Sequence, residues 1–298
     1  MDDLIQFEEH RRALTSLAYR MLGSMADAED VVQDAFLRWR RSSRDRVDHP
    51  RAFLLKTASR LCLDRLKEAR RRREIYVGEW LPEPVIEEPA LGSSAPELLA
   101  RDVSLALMLA LERLSPLERV AYLLHDIFDL DFSEIASAIE RSEATCRKLA
   151  ERARLHVRAS RPRFAVASEE GAAIAKAFFE ASRSGDASRL TELLADDAVL
   201  HADGGGRAAA LPQPIQGGLA IAQFYRGLAH RLGPPGGALF RWARPAVVNG
   251  LAGEVGMTAD GILQTTALDI GDGQVRAVYV VRNPDKLERV ARLMKDIR

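Results

Sequence analysis

The chain has 298 residues, 47% of them hydrophobic, and 43 basic side chains balance 43 acidic ones. This length suits two or three domains, and the apolar content is enough for packed cores, which excludes wholesale disorder. The longest apolar run, 103–111, is about half a membrane span, and the first residues lack the apolar core of a signal peptide. The sequence therefore predicts a soluble, cytoplasmic protein with no membrane partner.

The zero net charge hides local segregation of charge. Residues 65–73 hold six basic side chains against one acid, and residues 141–163 hold eight against two. Between them, residues 79–100 contain five glutamates and neither lysine nor arginine. Two basic segments separated by an acidic spacer are a pattern that suits a phosphate backbone.

Residues 4–73 contain few helix breakers and are predicted to be helical. In DAEDVVQDAFLRWRR (27–41), an apolar face recurs at helical spacing through Val32, Phe36 and Trp39. The acids of this segment lie in the first turns and on the opposite face, and its arginines lie at the C-terminal end, as the helix dipole favours. Helix stabilisation alone is one explanation of this charge split, and a partner-binding surface is the other. A second helix is predicted to begin with Pro50 at its first position.

Residues 78–97 carry four prolines and two glycines, so they are predicted to form a linker without a regular element. Trp80 is unusual in such a segment. A large apolar ring in a tether generally has a docking site.

Residues 98–158 are predicted to be helical again. SPLE (115–118) and DFSE (131–134) match the capping-box pattern, and Ser142 is the predicted cap of a longer, arginine-rich helix. Two helices separated by the short turn ERS (140–142) predict a helix-turn-helix. The predicted buried stripe of its second helix comprises Cys146, Leu149, Ala150, Ala153 and Val157.

Beyond residue 168 the pattern changes. Two helices precede the strand AVLHAD (198–203), and another helix follows at 218–232. Three hairpin signals then come eleven and twelve residues apart: Asn249-Gly250, Asp260-Gly261 and Asp272-Gly273. They predict a four-strand antiparallel meander in an α+β domain, with helices covering one face of a curved sheet and room for a pocket on that face.

A convincing reaction apparatus is missing from the sequence. DGGGR (203–207) lacks the lysine and the strand–loop–helix context of a phosphate-binding loop. His201 and Asp203 alternate along a strand and are a weak acid–base candidate. Cys62 and Cys146 are too few for a disulfide framework, and no Cys/His cluster has metal-ligand spacing. No catalytic residue, metal or cofactor is therefore predicted, and nucleic-acid binding has more support.

Three stretches, YRMLGSMADAEDVVQDAFLRW, HPRAFLLKTASRLCLDRLKEARRR and LSPLERVAYLLHDIFDLDFSEIASAIERSEATCRKLAERAR, resemble regions two and four of an extracytoplasmic-function (ECF) sigma factor. YVGEWLPEPV, DGGGR and RNPDKL resemble the subgroup that carries a C-terminal SnoaL-like extension. The resemblance implies a multidomain fold: two all-α sigma domains, the region 2 bundle and the region 4 helix-turn-helix, followed by an α+β SnoaL-like cone domain. Its boundaries would be 1–77, the linker 78–97, 98–163 and 168–298.

The resemblance also implies functional residues. Docking on the β′ clamp helices of core RNA polymerase would fall to Asp27, Glu29, Asp30, Gln33 and Asp34. Contacts to the −10 element of promoter DNA would come from His49, Arg51, Arg60, Asp64, Arg65 and Lys67. Contacts to the −35 element would come from Ser142, Glu143, Thr145, Arg147, Lys148 and Arg152.

A regulatory contact between the linker and the C-terminal domain is a further expectation. The linker would contribute Trp80, Leu81 and Pro82. The C-terminal domain would contribute Asp203, Gly204, Gly205, Gly206, Asn283, Pro284, Asp285 and Lys286. The chain departs from the family at the helix-turn-helix turn, where Glu140 stands in place of the usual glycine and predicts a strained backbone or an altered turn.

Two alternatives to a sigma factor stay open on the sequence. One is an enzyme that uses His201 and Asp203 as acid and base, and the other is a repressor that acts without polymerase. The sequence also leaves open whether the C-terminal domain takes a small-molecule ligand and whether a separate anti-sigma protein is a partner.

Overall fold

A computed structural model describes residues 2–42, 49–74, 76–87, 105–160, 168–232 and 239–296. Side chains are not described at 2–3, 68–74, 87, 160, 168–169, 232 and 296. The predicted linker residues 88–97, the junction 161–167 and most side chains of the basic run 65–73 therefore lie outside the description. The chain divides into two compact units, and each is described by itself.

The first unit begins with three helices. They are α1 (Asp2–Leu22), α2 (Met25–Arg41) and α3 (Pro50–Glu74). The Ser24 side chain caps α2 by accepting a hydrogen bond from the Asp27 amide at 3.2 Å. The predicted apolar face of α2 is confirmed, because Val32 and Trp39 are buried and Phe36 is half-buried. Pro50 begins α3 as predicted.

Four further helices complete the first unit. They are α4 (Leu105–Glu112), α5 (Pro116–Tyr122), α6 (Phe132–Ile139) and α7 (Glu143–Ser160), and a π-helical turn at Leu123–Ile127 follows α5. The capping box of α5 forms as predicted, with both Ser115 and Glu118 bonding across the first turn. The predicted stripe of α7, from Cys146 to Val157, is buried. The predicted helix-turn-helix is therefore α6–turn–α7.

The turn between α6 and α7 places Glu140 in the left-handed region, with φ 55°. Its amide bonds the Ala136 carbonyl as the C-cap of α6. This is the conformation that a glycine adopts without strain, so the strained backbone predicted at this departure from the family is confirmed.

The second unit contains a seven-stranded sheet. Its strands are β1 (Ile86–Glu87), β2 (Leu194–Asp203), β3 (Ile215–Gln216), β4 (Phe240–Val248), β5 (Leu251–Thr258), β6 (Leu263–Gly271) and β7 (Gln274–Val281). Strands β4 to β7 form the predicted antiparallel meander, and the sheet order is β1-β4-β5-β6-β7-β2-β3. Two of the predicted hairpin turns carry a non-glycine residue with positive φ, Asn249 and Asp272.

Four helices accompany the sheet. They are α8 (Ser168–Ser184), α9 (Ala187–Leu193), α10 (Gly218–Leu232) and α11 (Pro284–Asp296). Side chains of α8, α9 and α10, including Phe178, Leu190 and Ile221, pack with Val278 and other sheet residues in one buried core. Helices α8, α9 and α10 therefore cover one face of the sheet. The predicted α+β domain is confirmed, whereas the parallel pairing of β2 with β7 and the helix α11 were not predicted.

The prediction that the linker contains no regular element is wrong at one point. Ile86 and Glu87 form β1, which pairs with Val248 and Val247 at the edge of the sheet. Two hydrogen bonds between Val85 and Asn249 extend this contact. The proline-rich composition does not prevent it because an edge strand needs only a few backbone hydrogen bonds.

Across the described ranges, none of the helices is both long and apolar enough to cross a membrane. Both cysteines, Cys62 and Cys146, are buried, and burial raises the pKa of each thiol. The expectation that Cys146 packs in the core is therefore confirmed.

The backbone at Glu140 generates a stability prediction. We expect Glu140→Gly to be more stable than Glu140→Ala by about 1 kcal/mol, because only glycine adopts the left-handed conformation without a Cβ clash. Both variants lose the Glu140 carboxylate, so their difference isolates the backbone. Urea unfolding followed by circular dichroism measures it, and equal stabilities would contradict a strained turn.

Candidate functional site

The predicted polymerase-binding residues form what we call the α2 acidic patch: Asp27, Glu29, Asp30, Gln33 and Asp34. Glu29, Asp30 and Gln33 are exposed, and Asp27 and Asp34 are half-buried. Arg65 of α3 lies against the patch and donates to Asp30 at 3.1 Å and to Asp34 at 3.0 Å. One guanidinium thus holds two of the carboxylates at fixed positions on one face of α2.

Two of the predicted −10 residues bond backbone carbonyls, Arg60 at the end of α6 and Arg51 in the turn before α6. The Arg60 guanidinium donates to the Ala138 carbonyl at 2.9 Å, to the Ser137 carbonyl at 3.0 Å and to the Glu140 carboxylate at 2.8 Å. These carbonyls belong to the last turn of α6, where a helix has no internal donors for them. Arg51 likewise donates to the Phe128 carbonyl at 2.8 Å. In this conformation both guanidinium groups satisfy backbone acceptors.

The remaining predicted −10 residues do not make such contacts. His49 is exposed, and Asp64 pairs with Lys67 at 3.2 Å on the surface of α3. Arg65, predicted at the −10 element, instead bonds the α2 acidic patch. The structure therefore separates the six predicted residues into three local environments.

The predicted −35 residues lie at the start and on the outer face of α7. Ser142 caps the helix, with its hydroxyl 3.3 Å from the Thr145 amide and 2.9 Å from the Thr145 hydroxyl. Arg147 pairs with Glu143 at 2.9 Å. Arg152 reaches Glu118 at 3.2 Å, and Lys148 is exposed. All six side chains are accessible in the conformation described, as a helix that enters a DNA groove requires.

Asp203, at the end of β2, is the most buried carboxylate of the predicted regulatory set and is fully inaccessible to solvent. Its oxygens accept hydrogen bonds from the Tyr76 hydroxyl at 2.5 Å, the Leu81 amide at 2.8 Å and the Lys286 ammonium at 2.6 Å. Tyr76 and Leu81 belong to the segment before β1, and Lys286 belongs to α11. One carboxylate therefore joins that segment to two elements of the C-terminal domain.

Lys286 strengthens the same contact. Its ammonium also donates to the Leu81 carbonyl at 2.5 Å and lies 4.2 Å from the centre of the Trp80 ring. Leu81 and Pro82 are buried. Burial, with the neighbouring Asp203 carboxylate, raises the pKa of the Tyr76 hydroxyl, so this hydroxyl remains a donor at any physiological pH.

The glycines of DGGGR allow a close approach of two loops. A Cβ at Gly204 would lie 2.2 Å from the Ala208 carbonyl oxygen, and a Cβ at Gly205 would lie 2.2 Å from the Asn283 side chain. Gly205 and Gly206 also have positive φ. The Asn283 amide nitrogen donates to the Tyr76 hydroxyl at 2.8 Å. Gly205 therefore leaves room for the Asn283 side chain of the NPDK segment, whereas Gly204 allows the tight turn of its own loop.

Two predicted residues of this set lie at the surface. Pro284 is exposed at the start of α11, and Asp285 pairs with Arg207 at 3.2 Å with more than half of each side chain exposed. They border the Asp203 contact without bonding to its carboxylate.

The linker also contacts His201. Its Nδ1 lies 2.7 Å from the Glu79 carboxylate, and its ring stacks on Tyr279 with centroids 5.1 Å apart. His201 and Asp203 do face the same side of the sheet, but their partners come from the segment 76–81 and from the C-terminal domain itself rather than from an open pocket. This arrangement does not support the acid–base alternative. Within the described ranges no cluster of three His, Cys, Asp or Glu side chains has a geometry that holds a metal.

Sequence reasoning missed several residues that join the segment 76–87 to the C-terminal domain, among them Tyr76 and Asn249. Tyr76 begins the motif YVGEWLPEPV, but only Trp80, Leu81 and Pro82 of this motif were predicted to make the contact. Asn249 was interpreted only as a turn residue, whereas its side chain also accepts from the Val85 amide at 3.1 Å. A hydroxyl or amide whose partner is more than a hundred positions away leaves no local pattern in the sequence.

Comparison with known families now defines the class of protein. The Sigma-70 region 2 family model matches residues 6–72, and the Sigma-70 region 4 model matches residues 104–157. These are the helical segments of the first unit. The chain therefore has the two conserved domains of a bacterial sigma factor.

Full-length relatives narrow the class. The chain is 38% identical over 95% of its length to the ECF RNA polymerase sigma factor SigJ of Mycobacterium tuberculosis, of which it covers 93%. It is 33% identical over 94% of its length to the probable ECF sigma factor SigI of the same species, of which it covers 92%. The chain belongs to the ECF RNA polymerase sigma factor family. This is a family of transcription initiation factors and not of enzymes.

A solved structure supports the fold along nearly the whole chain. The crystal structure of M. tuberculosis SigJ matches with a TM-score of 0.79 at 34% identity, covering 96% of this chain and 98% of that one. The likeness therefore includes the C-terminal α+β extension as well as the sigma regions, in agreement with the predicted subgroup.

The buried carboxylate generates the prediction for this site. We expect Asp203→Asn to destabilise the C-terminal domain by about 3–5 kcal/mol, because it leaves the Lys286 ammonium buried without its counter-charge. Asp285→Asn breaks a solvent-exposed pair and should cost less than about 1 kcal/mol. Urea unfolding of both full-length variants tests this difference. Equal losses in the free energy of unfolding would show that the buried Asp203 pair contributes no more to stability than the exposed Asp285 pair.

Proposed function

We propose that this chain binds core RNA polymerase through the α2 acidic patch and directs promoter-specific initiation by contacting the −10 and −35 elements. The C-terminal domain would modulate this activity in cis through the linker. The observation that carries the proposal is the separation of an exposed carboxylate cluster on α2 from the arginine-rich face of α7 in a member of the ECF sigma family. Such a protein would act in the cytoplasm, with polymerase.

The α2 acidic patch suits a basic partner surface. Three of its five side chains are exposed, and Arg65 holds Asp30 and Asp34 in one orientation. Ordering carboxylates before binding reduces the entropy lost when a partner docks. The proposed partner surface is the β′ clamp helices, where complementary charge would favour both encounter and register.

Promoter contacts would come from two faces of the first unit. The outer face of α7 offers Arg147, Lys148 and Arg152. The Arg147–Glu143 pair is exposed and therefore weak, so Arg147 would exchange Glu143 readily for a phosphate, whereas Arg152 pairs with the buried Glu118. On α3, Arg51 and Arg60 bond carbonyls of the helix-turn-helix domain. Contact of these two arginines with the −10 element would therefore require α3 and α6 to separate.

Modulation in cis would act through the Asp203 contact. The segment 76–87 precedes the region 4 helices in the chain, so a docked segment shortens the free tether between regions 2 and 4. Releasing Tyr76 and Leu81 from Asp203 would lengthen that tether. The distance between the two promoter-binding regions would thus depend on this contact.

Charge reversal tests the polymerase contact. We expect Asp30→Lys combined with Asp34→Lys to abolish co-purification with core RNA polymerase, because like charges would then face a basic surface. Glu9→Lys combined with Glu180→Lys reverses two exposed acids elsewhere and should leave binding intact. Far-UV circular dichroism confirms that both variants fold. Retention of polymerase by the Asp30 and Asp34 variant would refute the proposed docking surface.

Reconstituted transcription tests modulation in cis. We expect deletion from residue 168 onward, and Asp203→Asn in the full-length chain, to change output from the cognate promoter at least about threefold while both proteins still co-purify with polymerase. The Asp285→Asn variant should support the same promoter output as the unmodified protein. Unaltered promoter output in the deletion and in Asp203→Asn would exclude a regulatory role for the C-terminal domain.

A further inference from the structure

The Glu118 carboxylate joins the capping box of α5 to the arginine-rich helix α7. Its Oε2 accepts hydrogen bonds from the Ser115 amide at 3.0 Å and from the Ser115 hydroxyl at 2.7 Å. Its Oε1 lies 3.2 Å from Nε of Arg152 on α7. The two oxygens of one carboxylate are therefore divided between the first turn of α5 and the outer face of α7.

Burial and hydrogen bonding hold this carboxylate in place. The side chain of Glu118 is only 12% exposed, and a capping box sets the position of its glutamate relative to the helix end. Burial opposes ionisation, but the Ser115 hydrogen bonds and the Arg152 charge outweigh it and hold the pKa of Glu118 below its usual value. Glu118 is therefore a fixed negative charge beside α7 at neutral pH.

The three basic side chains offered by the outer face of α7 differ in their partners. Arg147 pairs at 2.9 Å with Glu143 of its own helix, and both of these side chains are about half exposed. Lys148 is exposed. Within the part of α5 to α7 that the structure describes, Arg152 alone of the three pairs with a buried carboxylate of another helix. Its guanidinium is therefore the most constrained of the three.

The contact through Nε leaves the outer edge of the Arg152 guanidinium accessible. The side chain is 60% exposed, and neither terminal amino group donates a hydrogen bond to any described residue. In the major groove, a guanidinium donates two hydrogen bonds to O6 and N7 of one guanine. A phosphate accepts from an arginine in many orientations, whereas a guanine edge requires one orientation, so a fixed guanidinium suits base reading.

We propose that Glu118 is a positioning residue for recognition of the −35 element: it holds Arg152 in the orientation that reads one guanine of that element. Glu118 acts through Arg152 and makes no DNA contact of its own. This inference rests on the proposed promoter binding and assigns base reading within it to one arginine and its partner on α5.

Sequence selection by reconstituted polymerase tests the inference. Core RNA polymerase with the full-length chain selects from promoter duplexes randomised at the −35 element, and sequencing gives the base preference at each position. We expect Arg152→Ala to lower the preference for guanine at one position about tenfold, as loss of a bidentate contact does. Glu118→Gln should lower the preference at the same position about threefold, because the arginine loses its fixed orientation. The double variant should lose no more than Arg152→Ala does.

Two matched variants separate positioning from loss of a cap or of a charge. Glu134 closes the capping box of α6 and has no arginine partner among the described residues. Asp126 pairs at 2.6 Å with Arg154, an arginine of α7 outside the predicted −35 set. Glu134→Gln and Asp126→Asn should leave every base preference unchanged. Far-UV circular dichroism checks the fold of all variants, and glutamine at position 118 still suits a capping box.

Several results would overturn the positioning role. These are an unchanged preference in Glu118→Gln, a change at a position other than that of Arg152→Ala, a further loss in the double variant, or an equal loss in either matched variant. If Arg152→Ala relaxed no position, the arginine would not read a base and the inference would also fail. Glu118→Asp keeps the charge on a side chain shorter by one methylene, and the same position should relax in it. That variant decides the matter if Glu118→Gln does not fold.

Failure of the proposed function gives a different result. If polymerase with the unmodified chain selected no −35 sequence, promoter recognition itself would be refuted, and the role of Glu118 with it. Normal selection that is insensitive to changes at Glu118 would refute the positioning role alone.

Discussion

The second unit depends on one buried charge, the Asp203 carboxylate. An ionised carboxylate without solvent is tolerated only when its oxygens are fully bonded, and here the Lys286 ammonium, the Leu81 amide and the Tyr76 hydroxyl supply those bonds. Because the donors come from the segment before β1 and from α11, the charge cannot be satisfied unless both are docked. Gly205 serves the same contact by leaving room for the Asn283 side chain, which donates to Tyr76.

In the first unit, backbone carbonyls accept hydrogen bonds from two arginines that are also proposed to bind DNA. Arg60 bonds two carbonyls at the C-terminus of α6, and Arg51 bonds the Phe128 carbonyl. These carbonyl acceptors are neutral, and only Arg60 has a charged acceptor as well, the exposed Glu140 carboxylate, whereas a DNA phosphate is charged and forms stronger hydrogen bonds with a guanidinium than a carbonyl does. Under the proposed function, the same side chains would exchange these carbonyls for phosphates of the −10 element.

Local patterns allowed much of this fold to be predicted. The capping boxes, the stripe on α7 from Cys146 to Val157 and the three hairpin dipeptides all depend on residues close in the chain. Non-local features were missed: the parallel pairing of β2 with β7, the strand β1 and the partners of Tyr76 depend on residues far apart in the chain. The family resemblance predicted which residues take part in the linker contact. That the contact contains a buried ion pair, between Asp203 and Lys286, is seen only in the structure.

The short strand β1 also bears on solubility. It covers the apolar end of β4, Val247 and Val248, at the outer edge of the sheet. Farther along, β4 carries Arg241, Arg244 and Pro245, and charged or proline residues on an edge discourage pairing with other chains. The part of β4 without charged or proline residues is therefore the part that pairs with β1 of the linker. If β1 detached from β4, the backbone at Val247 and Val248 would be exposed and could pair with a strand of another chain. Detachment of the linker would therefore promote self-association unless another surface covered these two valines.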